Sequence, residues 1–363
     1  MRAIRIEEFG GPAVLQLAEL DIPQPGDGEV LIRVARAGLN FADTHQRTNS
    51  YLAKAELPMV PGSEVAGVRE DTGERMLGGS AVHFSLAASF FDEVRVVGPV
   101  GDDFGDDEYA VLHARGVDTD DIERVAGGET FFWRGHYEFD LNTAHTDDTR
   151  LNVFGEFEPK LSEASRSSDV LFLANIQPDL QRGVREQCQA TSFVTMDSMN
   201  LWIEIARDSL IKTIEGVDCV LLNDAELRML TEQPNLVQAA RQVIGWGPSI
   251  VVAKQGEYGA ALFTAEDFFA LPAFPLDTVL DPTGAGDSFA GGFVGYLAAH
   301  SGEPRSPDLL RRAMAYGTAL ASFNVQEFGT ERVQRLTAVE ITERVGELQR
   351  ITTFADAPLA LRG

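Results

Sequence analysis

Hydrophobic and polar positions change rhythm along this chain. Up to about residue 68 they alternate in short runs: Ala3–Ile6, Leu15–Glu19, then a Gly26-Asp27-Gly28 turn into Glu29–Ala35, with Val30, Ile32 and Val34 on one face. That period of two predicts half-buried strands. From about Arg69 the runs become apolar and longer. Leu77–Ala88 predicts a glycine turn entering a buried helix, followed by a strand at Val94–Val97 and a loop at Gly98–Phe104. Two aromatic-rich runs, Thr130–Tyr137 and Arg150–Phe157, flank the polar stretch Asp140–Thr149 and predict a small β ribbon. Beyond it, short continuous apolar runs alternate with helical segments: Val170–Ala174, Phe193–Asp197, Cys219–Leu222 and Ile250–Ala253. Strands apolar on both faces, spaced by helices, predict a parallel sheet covered on two sides, an α/β three-layer sandwich without internal repeats.

The last pattern is the most specific. Thr278-Val279-Leu280 predicts a strand end, and Phe289, Phe293, Val294 and Leu297 fall on one helical face. Between them runs Asp281-Pro282-Thr283-Gly284-Ala285-Gly286-Asp287-Ser288. Gly284 and Gly286 let backbone N–H groups converge at a helix N-terminus, whose dipole adds about half a positive charge, so the turn suits an anion. Asp287 in the first helical turn either caps the helix or takes a proton from a group attacking that anion. Asn223-Asp224-Ala225-Glu226 has the spacing of a capping box, Lys254–Gly259 that of a hairpin turn, and His83 the setting of a buried helix histidine.

Composition narrows the classes. With 363 residues and 44% hydrophobic content the chain buries one large domain or two unequal ones. A net charge of −26 argues against nucleic acid or anionic membrane as partner and favours solubility. Cys188 and Cys219 have no metal-type spacing and form no disulfide framework, which suits a reducing cytoplasm. Met1–Glu8 alternates like a strand rather than a signal peptide, and no apolar run reaches membrane-spanning length.

Asp281–Gly292 closely resembles the C-terminal signature of the ribokinase-like (PfkB) carbohydrate kinases. Gly78-Gly79-Ser80 with its helix and Val100-Gly101-Asp102-Asp103, the lid ribbon, Asn223–Glu226 and Lys254–Gly259 resemble the family's other motifs in the same order. The resemblance implies an ATP-dependent kinase acting on a hydroxymethyl group of a sugar or nucleoside, a cytoplasmic enzyme and a homodimer. It implies Asp287 as base and Gly284, Ala285, Gly286 and Asp287 as anion hole. It places Asn223, Lys254, Gly256, Gly259 and Thr283 around ATP, and Glu226 toward Mg2+ through water. Gly78, Gly79, Ser80, His83 and Asn200 fall on the substrate side, and Asp281 with Ser322–Gly329 near a monovalent cation such as K+. Leu151–Phe154 and Asp197–Trp202 are similar to bacterial sugar kinases within that family.

The first 68 residues resemble something else. Gly10-Gly11-Pro12, Gly38–Asp43 and Pro58–Gly67 are similar to the GroES-like start of zinc-free quinone oxidoreductases, with Asn40 and Ser63 where zinc-dependent relatives carry Cys and His. No dinucleotide fingerprint follows. The expected division is 1–68, an incomplete β segment, and 69–363, a kinase domain. The PfkB resemblance also implies a first strand ending in a substrate-gripping Asp, where this chain has Gly67; His83 replaces the family's Asn. A join near 68–76 is expected, leaving Glu56–Val65 as a surrogate strand or the sheet edge uncovered. Three readings stand: a kinase, an NADPH-dependent quinone reductase, and a hybrid that only binds ATP.

Overall fold

A computed structural model describes residues 2–22, 32–37, 57–58, 65–69, 76–137, 141 and 144–353. The chain divides into two compact units, Met1–Arg75 with His136–His145, and Met76–Gly135 with Thr146–Gly363.

In the first unit β1 (Arg2–Arg5) pairs antiparallel with β2 (Gln16–Glu19), and β3 (Ile32–Ala37) with β4 (Val65–Arg69). The alternating pattern gives β1 and β2 where expected, displaced by one residue, and β3 ending two residues beyond the expected Ala35, whereas β4 had no strand expectation. Gly67 sits in β4 opposite Val34, and Val65 opposite Ala37. Gly26–Gly28, Gly38–Asp43 and most of Glu56–Val65 lie outside the described residues.

The second unit opens with α1 (Ser80–Ala88), β5 (Arg95–Val100), α2 (Asp106–Ala114) and β6 (Asp118–Arg124). β5 runs three residues beyond the expected Val97, through Gly98-Pro99-Val100, because its parallel partner β6 offers a ladder up to Arg124. β7 (Phe132–Tyr137) and β8 (Ala144–Arg150) make the ribbon. Its second strand is the polar stretch expected to be a connection, whereas Asn152–Glu156 is a 3-10 turn. Thr146, Asp147, Thr149 and Arg150 are exposed in β8, so hydrophobicity gave no strand signal there.

Six strands form the main sheet in the order β14-β13-β12-β11-β10-β9: β9 (Val170–Leu173), β10 (Phe193–Asp197), β11 (Cys219–Asn223), β12 (Ile250–Lys254), β13 (Ala260–Phe263) and β14 (Phe268–Leu271). β9 to β12 are parallel and the last two antiparallel. Helices α3 (Pro178–Gln187), α4 (Arg207–Ile214), α5 (Asp224–Thr231), α6 (Leu236–Ile244), α7 (Ala285–Ala298), α8 (Pro307–Asn324) and α9 (Ala338–Thr352) complete the unit.

The continuous apolar strands feed two cores. Val194, Met196, Val220, Leu222, Val251 and Ala253 pack with Leu210, Leu227 and Val243 of α4, α5 and α6. Their alternates Phe193, Cys219, Leu221, Ile250 and Val252 pack with Phe289, Phe293 and Met314 of α7 and α8. This is a sheet covered by helices on both faces. Among the described residues β9 pairs with β10 on one side; the segment expected as a surrogate strand, Glu56–Val65, lies mostly outside those residues. No helix among them is long and apolar enough to cross a membrane.

Candidate active site

The parallel strands aim their C-terminal ends at one place. β10 ends on Asp197, β11 on Asn223 and β12 on Lys254, and Asn223 stands opposite Lys254 in the ladder. In open α/β sheets this is where ligands bind.

Residues 278–280 differ from expectation: they are irregular, not a strand. The N–H groups of Leu280 and Asp281 donate to Val325 O, at 2.8 and 3.3 Å, so the chain beyond α8 takes the hydrogen bonds a neighbouring strand would supply. The Asp281 carboxylate then gathers the loops, Oδ1 accepting from Thr283 N at 2.9 Å and Oδ2 from Gly329 N at 3.2 Å. Gly284 is the N-cap of α7 with φ 76°, a left-handed conformation that favours glycine. The Ala285 N–H donates to Pro282 O, at 3.2 Å, closing the turn. Gly286 and Asp287 occupy the first turn of α7, where N–H groups have no intrahelical carbonyl to bond. The converging donors are thus carried by Gly286 and Asp287 in the helix, with Ala285 engaged in shaping the turn.

Asp287 accepts a hydrogen bond from the Ser80 hydroxyl at the start of α1. Burial pushes its carboxyl above the usual range, and the Lys254 ammonium and Ser80 oppose that rise. A carboxylate so placed is a competent proton acceptor. Gly78, Gly79 and Ser80 enter the site together, with Gly79 the N-cap of α1 at φ 88°. The close approach of α1 to α7 depends on Gly291, where a β-carbon would come within 2.5 Å of Phe84 O.

His83 is 2% exposed. Its Nδ1 lies 2.9 Å from Asn324 Oδ1, which also accepts from the Ser288 hydroxyl at 3.0 Å, while Asn324 Nδ2 donates to Thr283 O at 2.7 Å. With the amide oriented by Thr283 and Ser288, the imidazole must donate through Nδ1, which leaves the Nε2 lone pair as an acceptor. Nε2 is buried and has no hydrogen-bond partner among the described residues; a β-carbon on Gly78 would stand 3.5 Å from it. Burial holds the imidazole pKa below its ordinary value, with Asn324 and Asp281 opposing. A histidine kept neutral in the fold contributes stability that is full above the unfolded value near 6.5 and is lost as pH falls through the folded one. The melting temperature of the wild type is accordingly expected to drop between pH 7 and 5 more steeply than that of His83→Gln. Each unit of depression corresponds to about 1.4 kcal/mol. Parallel melting curves would refute this assignment.

Asn223 and Glu226 form the capping box of α5: Asn223 Oδ1 accepts from Glu226 N at 2.7 Å and Glu226 Oε2 from Asn223 N at 2.8 Å. The box does more than end a strand. Burial pushes the Glu226 carboxyl up to about 7, against Lys254 and with Asp197 adding to the rise. Lys254–Gly259 is the β12–β13 hairpin turn, closed by Gln255 N donating to Gly259 O at 2.8 Å, with Gly256 opening its 3-10 turn. Asn200 is exposed, and its Oδ1 accepts from Leu201 N at 3.0 Å at the start of a short helix.

Asp197, Ser288 and Asn324 take part in this site although their residue types announced no role. Asp197 was visible only as part of a sequence resemblance; its place at the end of a parallel strand was the available physical signal.

Residues 54–335 match the description pfkB family carbohydrate kinase. The chain belongs to the pfkB family of carbohydrate kinases. The match begins upstream of residue 69, the boundary the sequence suggests. The N-terminal segment is similar to quinone oxidoreductases: 48% identity over 77 residues to that of Lama guanicoe, covering 21% of this chain and 23% of that protein. A cytidine kinase of Thermococcus kodakarensis is 39% identical over 90 residues, 24% of this chain and 32% of that one. The chain thus spans a third or less of the length of these curated relatives. In fold it is similar to the Methanocaldococcus jannaschii nucleoside kinase, an archaeal member of the ribokinase family, with a TM-score of 0.61, 18% identity and coverage of 80% and 92% of the two chains.

Proposed function

We propose that this pfkB-family chain transfers the γ-phosphoryl group of ATP to a hydroxymethyl group of a sugar or nucleoside. The observation that carries this reading is the meeting of Asp287, the N–H groups of the α7 first turn and Lys254 at the C-terminal edge of the parallel sheet. Asp287 accepts the proton of the attacking hydroxyl, and the Gly284–Asp287 turn holds the anionic phosphoryl oxygens. A preorganised N–H donor in such a place is worth about 3 kcal/mol in the transition state.

The residues fit magnesium in one respect that matters: the donor set is oxygen, and Glu226 is a buried carboxyl that a nearby cation would ionise. Magnesium with ATP would supply charge neutralisation at the phosphates; Glu226 is the residue we place toward it. Asn223, Lys254, Gly256, Gly259 and Thr283 are assigned to the nucleotide side. Ser80 and the free Nε2 of His83 are assigned to the acceptor side, where Nε2 accepts a substrate hydroxyl. We assign Asp281 to a potassium-type cation.

ADP release measured across a panel of sugars and nucleosides tests the proposal, with NADPH oxidation in the presence of a quinone as the parallel assay for the N-terminal resemblance. Acceptor-dependent ADP release is expected. NADPH oxidation without any acceptor-dependent ADP release would reject it.

A further inference from the structure

One cation lies among three carboxylates at the edge of the sheet. Lys254 feels Asp197, Glu226 and Asp287 together; burial pulls its ammonium pKa down and those three charges more than restore it, so the residue stays protonated. Its Nζ is 2.5 Å from Asp197 Oδ2 and would lie 3.1 Å from a β-carbon built on Gly286. The ammonium is therefore held against the backbone of the turn whose N–H groups face the anion site.

Asp197 is built to hold it there. It is 4% exposed, Oδ1 accepts from Ser198 N at 2.8 Å, and its carbonyl accepts from the buried Gln181 Nε2 at 3.0 Å. Both ends of the residue are fixed, and Oδ2 is left to the lysine. A lysine is otherwise a flexible point charge on a four-carbon stem. Stability alone is a weak reason for such a pair, because desolvating two charges offsets their attraction and an apolar pair packs as well. A charge fixed in advance is most effective where negative charge develops out of contact with water.

We propose that Lys254 is a catalytic cation of the phosphoryl transfer and that Asp197 is the positioning residue that fixes its ammonium at the Gly286 turn. The inference rests on the kinase reading above. In the step, the acceptor oxygen forms its bond to the γ-phosphorus while its proton passes to the Asp287 carboxylate. The bond from that phosphorus to the β,γ-bridging oxygen breaks, and its electron pair leaves with ADP. Lys254 keeps its proton throughout and balances charge on the phosphoryl oxygens in flight.

The test uses the full chain and needs no acceptor. Calorimetric titrations compare Mg·ADP with Mg·ADP plus aluminium fluoride, whose planar anion imitates the phosphoryl group in transfer. The double variant Asp197→Asn/Lys254→Met removes both charges, so neither is left buried alone. Whatever it loses in affinity for Mg·ADP, a nucleotide-side loss that Lys254 shares, it is expected to lose in addition about 30-fold or more of the further affinity that aluminium fluoride brings. Asp197→Asn is expected to lower that affinity by itself and to add nothing in the Lys254→Met background, since both act through one ammonium. Undiminished affinity of the double variant, or additive single effects, would overturn the inference, as would a wild type that gains nothing from aluminium fluoride. A wild type that does not bind Mg·ADP removes the kinase reading itself. Should the double variant not fold, Lys254→Arg decides: a planar head group should cost most of the fluoride-dependent affinity, and full retention contradicts the proposal.

Discussion

Asp287→Asn is expected to lower phosphoryl transfer by about a hundred to ten thousandfold, the range a general base contributes, with ATP binding kept within a few fold. The carboxamide fills the same space at the start of α7 and still reaches the Ser80 hydroxyl, but it accepts no proton. The helix loses one acidic residue from its first turn, and α7 is anchored by Phe289, Phe293 and Leu297 in the core, so the fold has no reason to change. Rapid-quench turnover with calorimetric ATP binding separates the two effects. Undiminished turnover would show Asp287 to be only an acidic residue of the first turn of α7 that ties it to Ser80.

The second large effect is expected at Gly284→Ala. A β-carbon there would stand 2.5 Å from the carbons of the His83 ring, at a φ of 76° that L residues rarely adopt. The ring has little freedom to yield, because Asn324 holds its Nδ1 and Thr283 with Ser288 holds Asn324. Destabilisation of about 2–4 kcal/mol is expected, with turnover down about a hundredfold as the turn is displaced from the phosphates. His83→Ala alone costs a cavity and the Asn324 hydrogen bond, but in the double variant Gly284→Ala/His83→Ala the overlap is gone, so the pair should cost less than the sum of the two single substitutions. Thermal melts of the three variants check this, and a Gly284→Ala protein as stable as wild type would contradict the packing of ring on turn.

Both residues lie in one stretch that the sequence announced plainly. Asp287 follows two glycines at the head of an apolar helix face, a local pattern whose chemistry is legible in a few residues. The parallel strands were equally legible, since Cys219–Leu222 and Ile250–Ala253 are apolar at every position and such runs can only lie between two cores. Where an element is polar and largely exposed along its length, the signal fails. β8 is polar from His145 to Arg150 yet forms the ribbon strand, because an isolated pair of strands is specified by its hydrogen bonds rather than by burial. Thr278–Leu280 failed in the opposite sense: its apolar residues suggested a strand, but the Leu280 N–H, with that of Asp281 after it, is taken by Val325 at the end of α8, a partner far along the chain. The same distance hid the working parts of the site. Asn324 and His83 are 241 residues apart, and Asp197 and Lys254 are 57 apart, so neither pair can be recognised from spacing.

The His83 network also bears on the acceptor. His83 stands where an Asn is expected from the family resemblance, and its ring is committed on one side to Asn324 while Nε2 faces the Gly78 backbone. On the proposed function, the acceptor would meet a fixed imidazole acceptor and the Ser80 hydroxyl in place of an amide that both donates and accepts.

The most direct test of the account is transfer of label from [γ-32P]ATP by the full chain, with and without sugar and nucleoside acceptors. Label is expected on the hydroxymethyl oxygen of an acceptor, with one ADP formed for each labelled product and loss of that product in Asp287→Asn. Label appearing only as inorganic phosphate, at the same rate with and without acceptors and unchanged in Asp287→Asn, would contradict it.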